Sequence, residues 1–357
     1  MISLVVVSYR SAALAREAIA SFRGDAAAAG EAAEVVVVEN SGEAGAFRGV
    51  ADVVLDPGRN LGFAGGLNAG ISAARGDLLF LANPDLVFRP GSVAALAAAV
   101  RGAPGPVAAG PAFFLDDGMT IQGPPAEEPH PFDLVRRGIS MDPEASVRPF
   151  RRRLRRVLAA ADAVARGETR SAPALSGALV ATTRATLGTV GPFDEGYPLY
   201  YEENDWQRRL RLAGGALLTV AASRVVHRFG RSTRRESRSA AWFAESERRY
   251  FARHFGERGS RGLAALSAVP PWTQAAPAPL GARALEWAAR GAAGIAISPL
   301  PWFSPFAWAP LPDGASSWRP PAGFAEELGV TLYVRAVDPS AGEILGEATI
   351  GKEGRDP

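Results

Sequence analysis

Two oxygen-bearing side chains end a short apolar run near residue 80 and could together bind a cation. This run lies between Gly76 and Pro84 and finishes on Asn83 and Asp85. Proline cannot continue a central strand, so a buried strand should stop here. In open α/β sheets, ligands bind outside the carboxyl ends of strands, and oxygen ligands suit a hard cation such as Mg²⁺ that carries a phosphorylated substrate. The alternative is that Asn-Pro-Asp forms only a turn.

Polar residues follow other apolar runs as well: Tyr9, Glu39, Asn60 and His227. Parallel strands would bring the first three of these to one sheet edge together with Asp85, forming a nucleotide-binding crevice. A Rossmann dehydrogenase is disfavoured, because Ser-Tyr-Arg rather than Gly-x-Gly follows the first strand. A Walker phosphate loop is also absent from the sequence.

The elements that would position these side chains alternate between strands and helices. Apolar runs at 2–7, 34–38 and 52–55 predict strands. A helix capped by Ser11 is predicted after the first strand, and Ala-rich segments that end at Arg75 and at about Arg101 predict two more. This order indicates an α/β fold with a mostly parallel central sheet. Further strands are predicted at 107–115, 174–182, 216–221 and 224–227, with helices from Tyr200 to Ala213 and from Ala240 to Phe255.

The composition changes after Gly256, which suggests a domain at 1–256 and a Pro- and Trp-rich extension at 257–357. Within the extension, we predict one helix at 282–290 and a small terminal β-hairpin around 339–342.

Charge and composition narrow the function classes. The net charge of +2 gives no reason to expect a nucleic-acid partner, and the absence of cysteine excludes disulfides and thiolate metal sites. No signal peptide and no long apolar run is evident, so we expect a cytoplasmic protein. Six arginines between Arg148 and Arg156 could form a solvated helix face. The alternative is a patch for anionic lipid headgroups or a lipid-diphosphate acceptor, with peripheral contact to the inner face of the membrane.

Several short motifs occur in a fixed order over residues 1–255. They are Val7-Ser8-Tyr9, Val38-Glu39-Asn40-Ser41, the Asn- and Gly-rich stretch 60–70, Asn83-Pro84-Asp85, Leu175-Ser176-Gly177-Ala178, Phe193-Asp194-Glu195, the stretch 201–206 (Tyr-Glu-Glu-Asn-Asp-Trp) and Val226-His227. In this order they resemble the inverting GT-A glycosyltransferases of family 2, in the rhamnosyltransferase-like branch. The resemblance implies a GT-A fold, and the tail beyond Gly256 lies outside it.

The resemblance also implies roles for the metal and base residues. Asp85 matches the last position of the family's Asp-x-Asp motif, which binds Mg²⁺ or Mn²⁺ and through it the donor diphosphate. Asn83 fills the first position with a neutral oxygen, which should weaken the metal site. His227 matches a histidine that completes this site, the alternative being a buried structural histidine. Glu203 matches the catalytic base, with Glu202 and Asp205 as further candidates.

The remaining implied residues concern the two substrates. Glu39 stands where the family usually has an Asp that contacts the nucleobase or ribose, and Tyr9, after Ser8, could stack on the base. The loop nearest the nucleotide contains Asn60 and Asn68, with Gly62, Gly65 and Gly66 allowing close approach. Phe193, Asp194 and Glu195 are expected to shape the acceptor side.

The resemblance implies transfer of rhamnose or another hexose from a nucleotide-diphosphate sugar, dTDP-rhamnose or a UDP-hexose. The acceptor would be a cell-surface or secondary-metabolite glycan, free or lipid-linked. The alternative is a non-catalytic nucleotide-sugar-binding or assembly protein on the same fold.

Overall fold

The computed structural model describes residues 1–131, 143–228, 238–257, 284–288, 293–300, 305–321, 324 and 331–351. It forms two compact units: a first unit of residues 1–112, 126–131 and 163–264, and a second unit of residues 113–125, 132–162 and 265–357. The domain boundary after residue 256 stays a prediction. The two compact units do not coincide with this predicted boundary, because residues 113–125 and 132–162 group with the C-terminal residues.

The first unit is built on a nine-stranded sheet in the order β3-β2-β1-β4-β8-β6-β9-β5, with β7 also pairing with β9. The strands are β1 (Ile2–Ser8), β2 (Ala33–Glu39), β3 (Val53–Leu55), β4 (Leu78–Ala82), β5 (Leu86–Phe88), β6 (Val107–Phe114), β7 (Thr169–Ser171), β8 (Leu179–Thr183) and β9 (Ala216–His227).

One half of this sheet is parallel, as the alternation of strands and helices predicted. β1 pairs in parallel with β2 on one side and β4 on the other, and β2 pairs in parallel with β3. Val35, Val36, Val37 and Val38 are all fully buried because helices or loops cover both sheet faces.

The other half is antiparallel, with β8 against both β4 and β6 and with β5 and β7 against β9. The α/β fold class is confirmed. Two predicted strands, 216–221 and 224–227, join in the single 12-residue strand β9. β8 starts later than predicted, at Leu179, because residues 175–178 are held by contacts outside the sheet.

Seven helices occur in the described part of the chain: α1 (Ala12–Ala28), α2 (Gly62–Ala73), α3 (Ser92–Arg101), α4 (Pro143–Arg166), α5 (Arg184–Val190), α6 (Glu202–Leu212) and α7 (Ser239–Phe255). A 3₁₀ helix spans Ala44–Phe47. The close packing of α2 on β1 needs two glycines. A Cβ on Gly70 would lie 2.4 Å from Val5 Cγ1, and one on Gly66 would lie 2.7 Å from Val7 Cγ1.

The second unit contains a four-stranded antiparallel sheet in the order β12-β11-β14-β15. The strands of this sheet are β11 (Gly294–Ser298), β12 (Ala307–Pro310), β14 (Leu332–Asp338) and β15 (Glu343–Ile350), while β10 (Leu285–Glu286) and β13 (Ser317–Trp318) pair in a separate two-stranded sheet. The terminal hairpin, β14 with β15, is confirmed.

The predicted helix at 282–290 is wrong where the structure describes it. Leu285 and Glu286 instead form β10, which pairs with β13, and the remainder of the prediction at 282–283 and 289–290 lies outside the described residues. The alternate residues Leu285 and Trp287 are buried while Glu286 is exposed, a period of two that packing imposes on this segment.

Both faces of the second unit's sheet are covered. On one face, Phe150, Leu154 and Val157 of α4 pack with Phe306 and Trp308. On the other face, a second apolar cluster forms around Ile121, Ile295, Ile297, Val334 and Ala336. Of the helices in the described ranges, none has the length and apolar character that a membrane span requires.

Candidate active site

Residues predicted to form the crevice follow the carboxyl ends of the parallel strands. Ser8 pairs with Glu39 at the ends of β1 and β2, and Val6 of β1 pairs with Ala82 at the end of β4. The residues that follow these strands therefore emerge at one edge of the sheet, where ligands bind in open α/β folds.

Asp85 and His227 lie together beside this edge. His227 is the last residue of β9 and pairs with Leu86, the first residue of β5, so the antiparallel ladder places it next to Asp85. The His227 Nε2 and Asp85 Oδ1 atoms are 3.4 Å apart. Both residues are buried, and the Asp85 backbone oxygen accepts a hydrogen bond of 2.9 Å from the Arg228 N–H.

This donor set fits a divalent cation that is shared with a substrate. Among the described residues, no group of three or more His, Asp or Glu side chains is arranged around a metal position. A two-residue site is consistent with Mg²⁺-type binding, in which one or two protein ligands are completed by substrate phosphates and water.

Asn83 connects this pair to the rest of the crevice. Its backbone N–H donates a 2.8 Å hydrogen bond to the Ala178 carbonyl, next to Gly177. A Cβ built on Gly177 would lie 2.7 Å from Cγ of Glu203. The segment 176–178 therefore lies between the Asn83–Asp85 turn and the Glu203 side chain.

Glu202 and Glu203 begin helix α6 in the first unit. The two preceding residues, Tyr200 and Tyr201, both have φ of +67°, a left-handed conformation that side chains rarely adopt. Such conformations persist where surrounding contacts enforce them, often at functional sites. One such contact is the 2.7 Å hydrogen bond that the Tyr201 hydroxyl donates to Glu247.

The two carboxyl groups are shielded from solvent and interact with each other. Burial and the neighbouring charge of Glu203 raise the pKa of Glu202 well above its ordinary value. Burial also raises the pKa of Glu203, although hydrogen bonds to its carboxylate oppose this rise. The Asn204 side chain donates to Glu203 Oε1 at 3.1 Å, whereas no described group hydrogen-bonds Glu203 Oε2.

Asp205, the third candidate base, is held by cations on both of its oxygens. Arg209 Nε donates to Oδ2 at 2.9 Å, while His254 Nε2 lies 2.8 Å and Arg253 Nε 3.3 Å from Oδ1. Burial lowers the pKa of His254, and its contact with Asp205 offsets part of that shift. Asp205 is fully buried and joins α6 to α7.

The predicted nucleotide residues differ in what their side chains contact. Both carboxylate oxygens of buried Glu39 accept hydrogen bonds from its own turn, from the Ser41 and Glu43 backbone N–H groups and from the Ser41 hydroxyl. Asn60 is exposed, and its Oδ1 accepts a 2.8 Å hydrogen bond from the Gly62 N–H, where φ is +75°. Asn40 donates to the Gly62 carbonyl at 3.1 Å.

Tyr9 is half-buried, with the Arg10 guanidinium 5.1 Å from its ring centre, and the Ser8 hydroxyl lies 3.2 Å from the Ser11 hydroxyl. The Asn68 side chain exchanges 3.0 Å hydrogen bonds with the Phe193 backbone and donates to Glu195 at 2.9 Å.

The acceptor-side prediction covers three residues with different surroundings. Phe193 is buried and stacks on Trp206 at 5.3 Å between ring centres. Asp194 pairs with Arg249 at 2.9 Å. Glu195 is exposed, and a Cβ built on Gly65 would lie 3.6 Å from its carboxylate. The acceptor role of these residues stays a prediction.

Gln207 was not among the residues selected from the sequence. It is buried one helical turn after Glu203, and its amide binds both backbone groups of Leu175, with Leu175 N donating at 2.7 Å and Gln207 Nε2 donating at 2.9 Å. The sequence signal that could have identified Gln207 is its spacing of four residues from Glu203, because that spacing places both side chains on one face of the helix.

The first 157 residues carry the similarity to a known family. Residues 3–157 match the model of glycosyl transferase family 2. This match confirms the predicted resemblance to family 2, and the α/β sheet described above agrees with the GT-A fold that the resemblance implies.

Relatives of the family 2 domain include the N-acetylglucosaminyl-diphospho-decaprenol L-rhamnosyltransferases of two Mycobacterium tuberculosis strains, CDC 1551 / Oshkosh and ATCC 25618 / H37Rv. Each is 31% identical over 197 residues, covering 52% of this chain and 62% of the relative.

Solved structures similar to this chain include two with bound nucleotide sugars. A mannosyltransferase from Pyrobaculum calidifontis in complex with GDP-Man and Mn²⁺ is 14% identical, with a TM-score of 0.44 over 76% of each chain. S. aureus TarS 1-349 in complex with UDP-GlcNAc is 15% identical, with a TM-score of 0.42 over 74% of this chain and 71% of that one.

Proposed function

We propose that this protein is an inverting glycosyltransferase that transfers a sugar from a nucleotide-diphosphate donor to a glycan acceptor. The observation that carries the proposal is the arrangement at the sheet edge. Asp85 and His227 lie together, 3.4 Å apart, and the 176–178 segment separates the Asn83–Asp85 turn from the Glu203 carboxylate, one oxygen of which no described group hydrogen-bonds.

In the proposed mechanism, Asp85 and His227 hold the donor end and Glu203 serves the acceptor end. A divalent cation, Mg²⁺ or Mn²⁺, would neutralise the charge of the leaving diphosphate when bound by Asp85 and His227. Glu203 Oε2 accepts the proton of the acceptor hydroxyl as that oxygen attacks the anomeric carbon. Asn204 holds the other oxygen of this carboxylate and so fixes its orientation.

Glu203 suits the role of base better than its two neighbours do. Glu202 is almost fully buried, and this burial together with the neighbouring charge of Glu203 holds its pKa well above the ordinary value, which favours its protonated form. Asp205 already contacts Arg209 through one carboxylate oxygen and Arg253 and His254 through the other, so neither oxygen is left for an acceptor hydroxyl.

For the donor, dTDP-rhamnose is our first proposal and UDP-hexoses the second. The similarity to rhamnosyltransferases supports this order. The Glu39 carboxylate is hydrogen-bonded within its own turn. Its proposed contact with the nucleobase or ribose would therefore require either that the hydrogen bonds from Ser41 and Glu43 break, or that other atoms of this turn make the contact.

For the acceptor, we propose a lipid-linked glycan, approached by a protein in peripheral contact with the inner face of the membrane. The relatives are named for transfer to a diphospho-decaprenol lipid. In the second unit, helix α4 buries an apolar face and exposes arginines such as Arg152 and Arg155, which suit an anionic lipid surface.

A panel of nucleotide sugars, assayed for diphosphate release with a lipid-linked acceptor and Mn²⁺ or Mg²⁺, tests the proposal. We expect turnover with a deoxythymidine or uridine donor, loss of turnover in Glu203→Gln, and weakened Mn²⁺ dependence together with low activity in Asp85→Ala. Glu245→Gln, an exposed carboxylate on α7, is the matched control.

Undiminished turnover in both site variants would refute the assignment. Calorimetric donor binding without transfer to any acceptor would instead favour the non-catalytic sugar-nucleotide-binding alternative.

A further inference from the structure

Gly177 lies against the side chain of Glu203 and leaves no room for a side chain of its own. A Cβ at this position would be 2.7 Å from Glu203 Cγ and 3.1 Å from both Cβ and Cδ. The φ of Gly177 is outside the left-handed region, so an alanine here would carry no backbone strain and would differ only by the methyl group.

We infer that Gly177 is a positioning residue for Glu203: by lacking a side chain, it provides the space in which the longer glutamate carboxylate reaches the acceptor hydroxyl. This inference rests on the proposed role of Glu203 as base. It also accounts for a glutamate at a position where the family resemblance leads us to expect aspartate.

The backbone on both sides of this contact is held in place. Gln207, on the same helix as Glu203, binds the N–H and the carbonyl of Leu175 at 2.7 and 2.9 Å, and both bonds are buried. On the far side of Gly177, the Ala178 carbonyl accepts the 2.8 Å hydrogen bond from Asn83. The segment 175–178 therefore cannot move away from α6 without breaking buried hydrogen bonds.

Because the backbone is fixed, an added methyl group must displace the Glu203 side chain. The atoms in conflict include Cβ and Cγ, close to the helix backbone, so the side chain must change rotamer rather than only shift its tip. A misplacement of about 1 Å can reduce turnover by about a hundredfold.

The test compares Gly177→Ala with Gly188→Ala in the full chain. Gly188 lies in α5, where an added Cβ meets no described atom within 4 Å. For Gly177→Ala we expect kcat to fall about a hundredfold while the donor KM stays within about threefold, the pattern of a lost transition-state interaction.

The pH profile separates positioning from a general loss of structure. Burial raises the pKa of Glu203, so moving its carboxylate towards solvent should shift the acid limb of the rate profile to lower pH in Gly177→Ala. The control variant should keep the wild-type kcat and the wild-type acid limb.

Thermal unfolding of the single and double variants covers the case in which Gly177→Ala fails to fold. The methyl group should cost stability in the wild-type background and less in Glu203→Ala, where most of the conflicting atoms are gone. An equal cost in both backgrounds, or wild-type kcat in Gly177→Ala, overturns the inference. Full activity in Glu203→Gln would overturn the proposed base and this inference together, whereas an inactive Glu203→Gln beside a fully active Gly177→Ala overturns the inference alone.

Discussion

Replacing Glu34 with Gln should remove a large part of the stability of the parallel strands that carry the site. Glu34 lies in β2 with its side chain 2% exposed, and its Oε1 accepts a 2.6 Å hydrogen bond from the Ser3 hydroxyl in β1. Its carboxylate also accepts hydrogen bonds from the Arg75 side chain at 2.7 Å and from the backbone N–H groups of Arg75 and Gly76, just before β4. One carboxylate therefore joins three adjacent parallel strands at the edge opposite the crevice.

The size of the effect follows from the pKa. Burial alone would raise the pKa of Glu34, but the hydrogen bonds from Ser3 and Arg75 outweigh it and lower the pKa from 4.5 to about 2. Lowering the pKa of Glu34 from 4.5 to about 2, at about 1.36 kcal/mol for each pH unit, corresponds to about 3 kcal/mol of unfolding free energy. Because the folded pKa is lowered, this contribution is fully present above pH 4.5 and is lost as the pH falls towards 2.

Urea unfolding of wild type and Glu34→Gln from pH 7 down to pH 3 measures this contribution. We expect the variant to be about 3 kcal/mol less stable at pH 7 and the difference to shrink steadily below pH 4.5. Glu31→Gln is the matched control, since its partner Arg101 is 48% exposed and such pairs contribute about 1 kcal/mol or less. A difference that is below 1 kcal/mol at pH 7, or that does not change with pH, would refute the reasoning.

Three other perturbations have defined outcomes. Glu202→Gln should raise the Tm at pH 8 and leave it unchanged at pH 4, because a carboxyl with a raised folded pKa destabilises the fold as the pH rises through that pKa. Asp205→Asn should cost about 2 kcal/mol in urea unfolding, since it weakens the hydrogen bonds of Arg209 and His254 to a fully buried carboxylate. Arg152→Ala with Arg155→Ala should weaken binding to vesicles of anionic phospholipid by about 2 kcal/mol, about 1 kcal/mol for each arginine near the surface.

These outcomes have their own controls. Arg48→Ala with Arg59→Ala removes two exposed arginines from the first unit and should leave vesicle binding unchanged. Equal loss in both double variants would mean that net charge, and not α4, governs vesicle binding. A Glu202→Gln Tm that falls at pH 8, or an Asp205→Asn variant as stable as wild type, would contradict the corresponding prediction.

The polar residues at the sheet edge could be predicted from the sequence because the patterns that indicate them are local. Buried runs of β-branched residues that end on Tyr9, Glu39 and Asp85 imply parallel strands with polar termini, and the structure has this arrangement. The pairing of Asp85 with His227 required the family resemblance, because the two residues are 142 positions apart in the sequence and no local pattern indicates the antiparallel ladder that joins β5 to β9.

The functions of the acidic side chains could not be read from the local pattern. Glu202, Glu203 and Asp205 occupy the same helical turn but have different surroundings: burial raises the pKa of the two glutamates, whereas partners distant in sequence contact Asp205. Arg253 and His254 reach Asp205 from α7. Glu39 bonds to its own turn, a detail of backbone geometry that residue types do not specify.

The second unit shows where composition misleads. Frequent proline and arginine at 119–171 obscured α4, although its apolar residues Phe150, Leu154 and Val157 follow helical spacing. The 282–290 segment looked helical by propensity, but burial of Leu285 and Trp287 against the second unit's sheet selects a strand.

The most direct test of Glu203 as the base is to measure donor binding and transfer separately in Glu203→Gln. With dTDP-rhamnose or the best donor of the panel and Mn²⁺, the variant should bind donor with a Kd within about threefold of wild type, while transfer to the lipid-linked acceptor falls by at least about a hundredfold. The wild-type product should show inverted anomeric configuration by NMR. Retained transfer in Glu203→Gln, or a product with retained configuration, would contradict the account.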